Sequence, residues 1–205
     1  MKKNKKELDE VVNTVVEYCN QIRFTRELKY SVRKSMDARY HYDNGRLFGK
    51  GATMNNGEKL TGPWEFYFSP GNIRSKGNYD ENGERTGPWQ YYFFNGQLKG
   101  KQNYKAGKLD GEEIYYHETG ALSTVANYKN GDEDGTSKSY YLIGIPRVVT
   151  NYKSSKQNGE RLVYFSNGTL QAIENYKDDS LHGPFKTYYK TGPLESEGTY
   201  DNGKL

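Results

Sequence analysis

The sequence predicts a mostly β protein: an elongated, single-layer antiparallel β-meander of tandem hairpin repeats, with an α-helical cap at its N-terminus. Three observations predict it. A frame of about 24 residues recurs without a break, the signature of a repeat array. Each unit of the frame reads as two strands and two turns. One amphipathic helical pattern stands ahead of the frame, at the start of the chain.

Residues 6–23 carry that pattern. Leu8, Val11, Val12, Val15, Cys19 and Ile22 fall on one face at helical spacing. A helix this amphipathic must bury its stripe, and covering an exposed sheet edge is a fitting use, because open edges invite aggregation. Residues 24–37 read either as a second short helix or as a strand. The sequence thus divides into an N-terminal helical segment, 1–37, and a repeat array, 38–205, that opens with a half-unit and ends part-way into a further unit.

Glycine and tyrosine set the frame. Gly62, Gly87, Gly111, Gly135, Gly159 and Gly183 are spaced by 25 residues once and then by 24. Counting each of these as position 0, position 5 is always tyrosine: Tyr67, Tyr92, Tyr116, Tyr140, Tyr164 and Tyr188. Position 9 is always glycine: Gly71, Gly96, Gly120, Gly144, Gly168 and Gly192. Position 17 is tyrosine again: Tyr79, Tyr104, Tyr128, Tyr152, Tyr176 and Tyr200.

Within a unit, residues 88–93 form an aromatic strand, and Asn95-Gly96 turns it, because a tight hairpin needs positive φ. Residues 97–104 return, and Ala106-Gly107 turns the chain again. Strand parity puts positions 11, 13, 15 and 17 on one face: Leu98, Gly100, Gln102 and Tyr104 in one unit, Leu170, Ala172, Glu174 and Tyr176 in another. Positions 2, 4 and 6 hold Trp64, Phe66 and Phe68, then Trp89, Tyr91 and Phe93, rings able to fill the space over small cross-strand neighbours. The position-5 tyrosines then fall on the other face, in a row at about 10 Å intervals, unless a bulge flips them. They read as packed structural rings or as an amphipathic ladder that grips a partner. The unit at Gly135 lacks aromatics at positions 2 and 4 and carries Pro146, which predicts a bent or bulged strand.

Composition narrows the function. Hydrophobic residues make up 33% of the chain, too few for a thick core, yet 15% aromatic content argues against disorder. Residues 1–37 hold nine basic and six acidic residues, leaving 21 and 20 for the array. A near-neutral array makes nucleic acid an unsuitable partner, since that demands a clustered basic face. Cys19 is the sole cysteine, so no internal disulfide framework exists. No apolar stretch has the length of a transmembrane helix, and no signal-peptide core follows Lys2–Lys6. The chain reads as cytoplasmic, or as exported if a signal peptide has been removed.

The stretch NYKAGKLDGEEIYYHETGALSTVANYKNGDEDG, with its Gly-Lys-Leu-Asp-Gly turn, aromatic strand, Thr-Gly turn and Asn-Tyr strand, resembles the bacterial variant of the MORN repeat, as does the closing TYDNGKL. The resemblance covers about residues 38–205. It implies an elongated, curved antiparallel sheet used as an interaction module. Bacterial proteins of this kind are often named YwqK-type antitoxins, which implies a toxin-neutralising or immunity role. MORN proteins elsewhere imply phospholipid binding, dimerisation or scaffolding. WQYYFFNGQLKG also resembles choline-binding repeats, although those are shorter and keep tryptophans for cation–π cages, where this chain has only Trp64 and Trp89.

No catalytic constellation is expected. His41, His117 and His182 fall at different frame positions with no ligand-like neighbours, so metal spacing is missing. No nucleophile elbow, P-loop or dinucleotide fingerprint occurs. Asp132-Glu133-Asp134-Gly135 lacks the alternating ligands of a calcium loop. The expectation is a protein without cofactor or catalysis. It binds a protein partner such as a toxin through the position-5 tyrosines, with the twelve glycines at positions 0 and 9 as structural turns. Self-association through the C-terminal sheet edge is a further expectation. The competing class is a membrane-surface protein docked through the basic amphipathic N-terminus.

Overall fold

The structure is a computed structural model that describes residues 29–30 and 36–204. The helix expected over residues 6–23, and with it the α-helical cap, lies outside the described residues. Within them the only helical segment is the 3-10 turn Asn55–Gly57, and 18 strands form one antiparallel sheet. The strands are β1 (Lys29–Tyr30), β2 (Met36–His41), β3 (Leu47–Met54), β4 (Lys59–Tyr67), β5 (Ile73–Tyr79) and β6 (Arg85–Tyr92). There follow β7 (Leu98–Lys105), β8 (Lys108–Leu109), β9 (Gly111–Tyr116), β10 (Leu122–Lys129), β11 (Asp132–Glu133) and β12 (Gly135–Tyr140). The last are β13 (Pro146–Lys153), β14 (Lys156–Tyr164), β15 (Leu170–Lys177), β16 (Ser180–Leu181), β17 (Gly183–Tyr188) and β18 (Leu194–Tyr200). Each long strand pairs with the next, so the sheet is an open meander. The two-residue strands β8, β11 and β16 are the first steps of strands that resume one residue later at a glycine, so β7, β10 and β15 also pair with β9, β12 and β17.

The step at the position-0 glycine is a backbone requirement. Gly111 has φ +110°, and a Cβ there would sit 3.4 Å from the Asn103 side chain. Positive φ is a conformation that L-residues enter only at a cost. The hairpin at position 9 closes differently from its Asn-Gly reading. The Gly96 N–H donates to the Phe93 carbonyl (2.9 Å) and the Phe93 N–H to the Gln97 carbonyl (2.8 Å). Among its three loop residues only Gly96 has positive φ. That is the three-residue loop ending in a left-handed glycine.

The second hairpin explains the uneven spacing of the units. Its loop has four residues between Met54 and Lys59, three between Asp80 and Glu84, and two between Lys105 and Lys108. The later units keep the two-residue form, with both central residues left-handed, as at Asn130 (φ 52°) and Gly131 (φ 95°). Such loops match the right-handed twist of the strands they join. All the length variation falls here, and the strands keep their phase.

A β-bulge recurs in every unit between positions 4 and 5. Phe66 pairs with Ser75 and Tyr67 with Ile73, which leaves Arg74 over; Tyr91, Tyr92 and Lys99 repeat the arrangement. The bulge corrects the parity expected from sequence. Position 11 (Ile73, Leu98, Leu122, Leu170) moves off the face of positions 13, 15 and 17 and joins the position-5 tyrosines. Pro146 sits at the start of β13 with the same bulge as every other unit. The bulge expected there is present but is not peculiar to this unit, and a strand's first residue tolerates the missing N–H.

The aromatic core lies on the face of positions 2 and 4. Trp64 and Trp89 are each 1% exposed and Phe48 2%. Tyr40, Trp64, Phe66, Trp89 and Tyr91 form a file of near-parallel rings, with centroids 5.5, 5.5, 6.2 and 6.3 Å apart. Glycine makes the file possible. A Cβ on Gly51 would lie 2.5 Å from the Trp64 ring and one on Gly77 2.3 Å from the Trp89 ring. Each indole N–H also donates to the backbone, Trp64 to the Ala52 carbonyl (2.8 Å) and Trp89 to that of Asn78 (3.1 Å).

Asparagine at position 16 ties neighbouring units together. The side-chain amides of Asn127, Asn151 and Asn175 donate to the carbonyls of Thr136 (3.1 Å), Glu160 (2.9 Å) and Pro184 (2.7 Å). These bonds span the step at the position-0 glycine, where the regular ladder is interrupted.

Gly77→Ala is expected to destabilise the protein by about 2–3 kcal/mol, since the methyl overpacks the Trp89 ring. In Gly77→Ala/Trp89→Leu the two losses should sum to less than their separate values, because the clash is removed with the ring. Urea denaturation of the four proteins measures both. Ala106 holds φ 46° without a side-chain hydrogen bond. Ala106→Asn should therefore raise stability by about 0.5–1 kcal/mol in the same assay.

Candidate binding face

The face opposite the aromatic core carries the position-5 tyrosines. Each ends the first long strand of its unit, and each is cross-strand paired with position 11. The pairs are Tyr67–Ile73, Tyr92–Leu98, Tyr116–Leu122, Tyr140–Pro146, Tyr164–Leu170 and Tyr188–Leu194. Cross-strand partners share a face, so tyrosine alternates with an aliphatic residue or proline from β4 to β18. Tyr67 is buried (8% exposed) and the other five are half-buried.

Beside this row runs a second, made of positions 3 and 14. It begins Arg39, Lys50, Glu65, Lys76, Gln90, Lys101, continues Ile114, Val125, Lys138, Val149, Leu162, Ile173 and ends in Lys186 and Glu197, each a cross-strand partner of the next. The rows interlock at the charged end. The Tyr67 hydroxyl donates to Glu65, and that of Tyr92 to Gln90 (2.8 Å). Lys50 reaches Glu65 at 2.9 Å and lies 5.6 Å from the centre of the Tyr67 ring; Lys76 lies 5.7 Å from that of Tyr92. The Tyr67 hydroxyl and Lys50 together hold the Glu65 carboxyl below its usual range. Burial and then Glu65 push the Tyr67 phenol up.

The core face changes character along the same axis. Arg85 is stacked on Trp89 (4.6 Å) and Tyr104 (5.3 Å) and donates to the hydroxyls of Tyr91 and Tyr104, both at 3.1 Å. Tyr104 donates in turn to Gln102 (2.7 Å), whose amide donates to Glu113 and to the Tyr115 hydroxyl (2.9 Å). Burial pushes the Glu113 carboxyl up; bonds from Gln102 and Tyr128 oppose the shift, and the nearby Glu133 adds to it. Burial alone lowers the pKa of Arg85, but the phenol oxygens of Tyr91, Tyr104 and Tyr79 more than offset this and keep it a cation. The network stands where tryptophan gives way to glutamate at position 2.

Among the described residues the large apolar side chains most open to water are Phe94, Leu142, Ile143 and Tyr189 on the rim of position-9 turns and Leu194 at the end of the tyrosine–aliphatic row, 45–71% exposed. The rim borders the tyrosine–aliphatic row. The opposite rim is polar, with turns such as Lys105–Lys108 and Lys153–Lys156. Among the described residues no cluster of three or more His, Cys, Asp or Glu is placed to hold a metal, and no helix is long and apolar enough to cross a membrane.

Fold and faces together define a tandem β-hairpin repeat protein. The sequence model of the MORN repeat variant matches residues 60–83, 85–106, 109–130, 157–178 and 181–202, more than half of the chain, and the protein belongs to that family. Arrays of this family are commonly protein- or membrane-binding modules. The match passes over residues 131–156, the unit with Pro146, although its register repeats that of its neighbours. No curated protein matches the chain. Among solved structures, one of accessory secretory proteins 1, 2 and 3 in Streptococcus pneumoniae is similar at 18% identity over 53% of this chain, with a TM-score of 0.31. A TcdB2–TccC3–Cdc42 structure is similar at 14% identity over 82%, with a TM-score of 0.23. This chain spans 20% and 12% of the lengths of those two.

The structure brings the six tyrosines onto one face and gives all twelve turn glycines positive φ. Sequence reasoning missed the aliphatic partners of the tyrosines, the row of positions 3 and 14, and the Arg85–Glu113 network. Glu113 was visible as the one carboxylate at position 2, where the two preceding units have tryptophan. A carboxyl whose folded pKa is raised contributes stability below its unfolded value near 4.5 and loses it as pH rises through the folded one. Glu113→Gln should therefore be more stable than the parent at pH 7, and the advantage should shrink toward pH 4. Thermal melts across that range measure it.

Proposed function

We propose that the array is a non-enzymatic protein-binding module of the bacterial antitoxin or immunity kind, which acts by covering a functional surface of its partner. The observation that carries the reading is the continuous tyrosine–aliphatic row, bordered by the apolar rim, on a face that no described element covers. Tyrosine suits such a surface because it offers a large, rigid, amphipathic contact at low entropic cost. A sheet this thin offers steric blockade more readily than an enclosed reaction site.

The test is capture of partners by the tagged chain from its host's lysate, beside the triple variant Tyr116→Ser/Tyr140→Ser/Tyr164→Ser. The parent should retain one protein in stoichiometric amount. The variant should lose at least about tenfold in affinity, as for removal of central interface residues, with its circular dichroism unchanged. Co-expression with the parent should relieve toxicity of that partner. Retention of the partner by the variant, or equal loss of fold and binding, would remove the face from consideration. Capture of no protein, with co-sedimentation on anionic vesicles that depends on residues 1–24, would transfer the function to the membrane surface.

A further inference from the structure

The row of positions 3 and 14 exchanges its chemistry part-way along the sheet. From β2 to β7 it is charged or amide; from β9 to β15 it is Ile114, Val125, Lys138, Val149, Leu162 and Ile173. The core face changes in the opposite sense at the same place. Its central row runs from Trp64 and Trp89 into a mainly polar stretch, Gln102, Glu113, Ser137, Thr150, Arg161 and Glu174 with Ala126 among them, before Phe185 ends it. A sheet that had only to fold would keep its larger apolar side chains on the face already chosen as the core. Here the second half places aliphatic side chains on the outer face, half-buried among themselves.

Charge divides the same way. On the outer face the first part carries Arg39, Lys50, Lys76 and Lys101 against Asp37 and Glu65. The second part carries Lys138 against Glu112 and Glu160, and the last two strands, β17 and β18, add Lys186 and Glu197, which satisfy each other at 3.3 Å. Lys50 and Glu65 satisfy each other at 2.9 Å, which leaves Arg39, Lys76 and Lys101 against Asp37 alone, with Lys76 and Lys101 nearest the aliphatic part.

Size separates the possible occupants. The aliphatic part spans six strands and, taken with the tyrosine row beside it, covers roughly 350 Å² from strand and residue spacings. A stable interface takes about 800 Å² from each partner, so two copies meeting through this part alone fall short. The whole outer face, 14 long strands wide, reaches about 900 Å² on the same spacings. An occupant that binds well must lie along both parts.

We infer, on the basis of the protein-binding reading above, that the outer face seats a protein segment of matching two-part chemistry. Its apolar side chains rest on Ile114, Val125, Val149, Leu162 and Ile173, and its carboxylates stand over Lys76 and Lys101. The apolar part supplies affinity. The basic part fixes direction, because a segment laid the other way puts its acids beside Glu112 and Glu160.

The experiment is selection of a displayed library of 20-residue peptides on the full chain, followed by titration of the enriched peptides against variants. Enriched peptides should join Leu, Ile, Phe or Trp at one end to Asp or Glu at the other. Lys76→Glu/Lys101→Glu, both at the sheet surface, should weaken them about tenfold or more, equivalent to about 1.4 kcal/mol, and reselection on it should enrich basic peptides. Leu162→Glu, checked for an unchanged melting profile, should weaken them at least as much. Enriched peptides that lack acids, or that bind both variants undiminished, would overturn the two-part seat while leaving the protein-binding reading intact. A concentration-dependent dimer abolished by Leu162→Glu would make a second copy the occupant and overturn it as well. Failure to enrich any peptide, together with retention of the chain on anionic vesicles, would defeat both.

Discussion

Everything in this sheet depends on rings lying flat over glycine. Among the described residues no second sheet or helix buries the apolar face, so each large side chain there is covered by its neighbours in the same layer. Trp64 and Trp89 achieve 1% exposure because Gly51 and Gly77 let the indoles lie against the backbone of the next strand. The same contact recurs at Gly100 with Tyr115 and at Gly198 with Phe185. The pattern is size complementarity across the ladder, large opposite small, and it fixes the register of the strands. A slip of one residue would bring Trp64 onto a side chain and turn its row toward water.

Where that device lapses, polar chemistry takes over. Gln102 faces Glu113, Thr150 faces Arg161, and Arg161 meets Glu174 in a close ion pair. Buried polar groups contribute only when paired, as Gln102 is with Glu113 and Arg161 with Glu174. A chain of bonds from Arg85 through Tyr104 and Gln102 to Glu113 joins the aromatic section to the polar one across β6, β7 and β9. The cost of burying Arg85 is reduced by ring faces and phenol oxygens, in the manner of cation–π contacts.

The architecture was legible in the sequence because the repeat frame is itself a record of backbone geometry. Glycines at positions 0 and 9 mark the sites of positive φ, and the strands between them could be placed from that alone. The rings at positions 2 and 4 and the small residues opposite them were likewise readable. What could not be read was the bulge beside position 5. It leaves no residue signature, since the extra residue is Arg74, Lys99, Ser123, Arg147, Gln171 or Glu195 in successive units. Strict alternation therefore put Leu98 and Leu170 on the wrong face and hid the aliphatic partners of the tyrosines. The row of positions 3 and 14 was invisible for another reason. Its members are far apart in sequence and differ in type, and only pairing across the strands makes them neighbours.

The second hairpin, with its loop of four, three and then two residues, has a consequence for how such arrays change. Residues gained or lost there alter only the length of a loop at one margin of the sheet. The bulge, the ring-on-glycine contacts and both faces keep their phase in every later unit. A residue gained in a strand would instead rotate everything beyond it onto the opposite side. The polar margin is thus the place where duplication can be imprecise and still yield a working surface, and where a loop or a whole inserted domain can be grafted without disturbing either face.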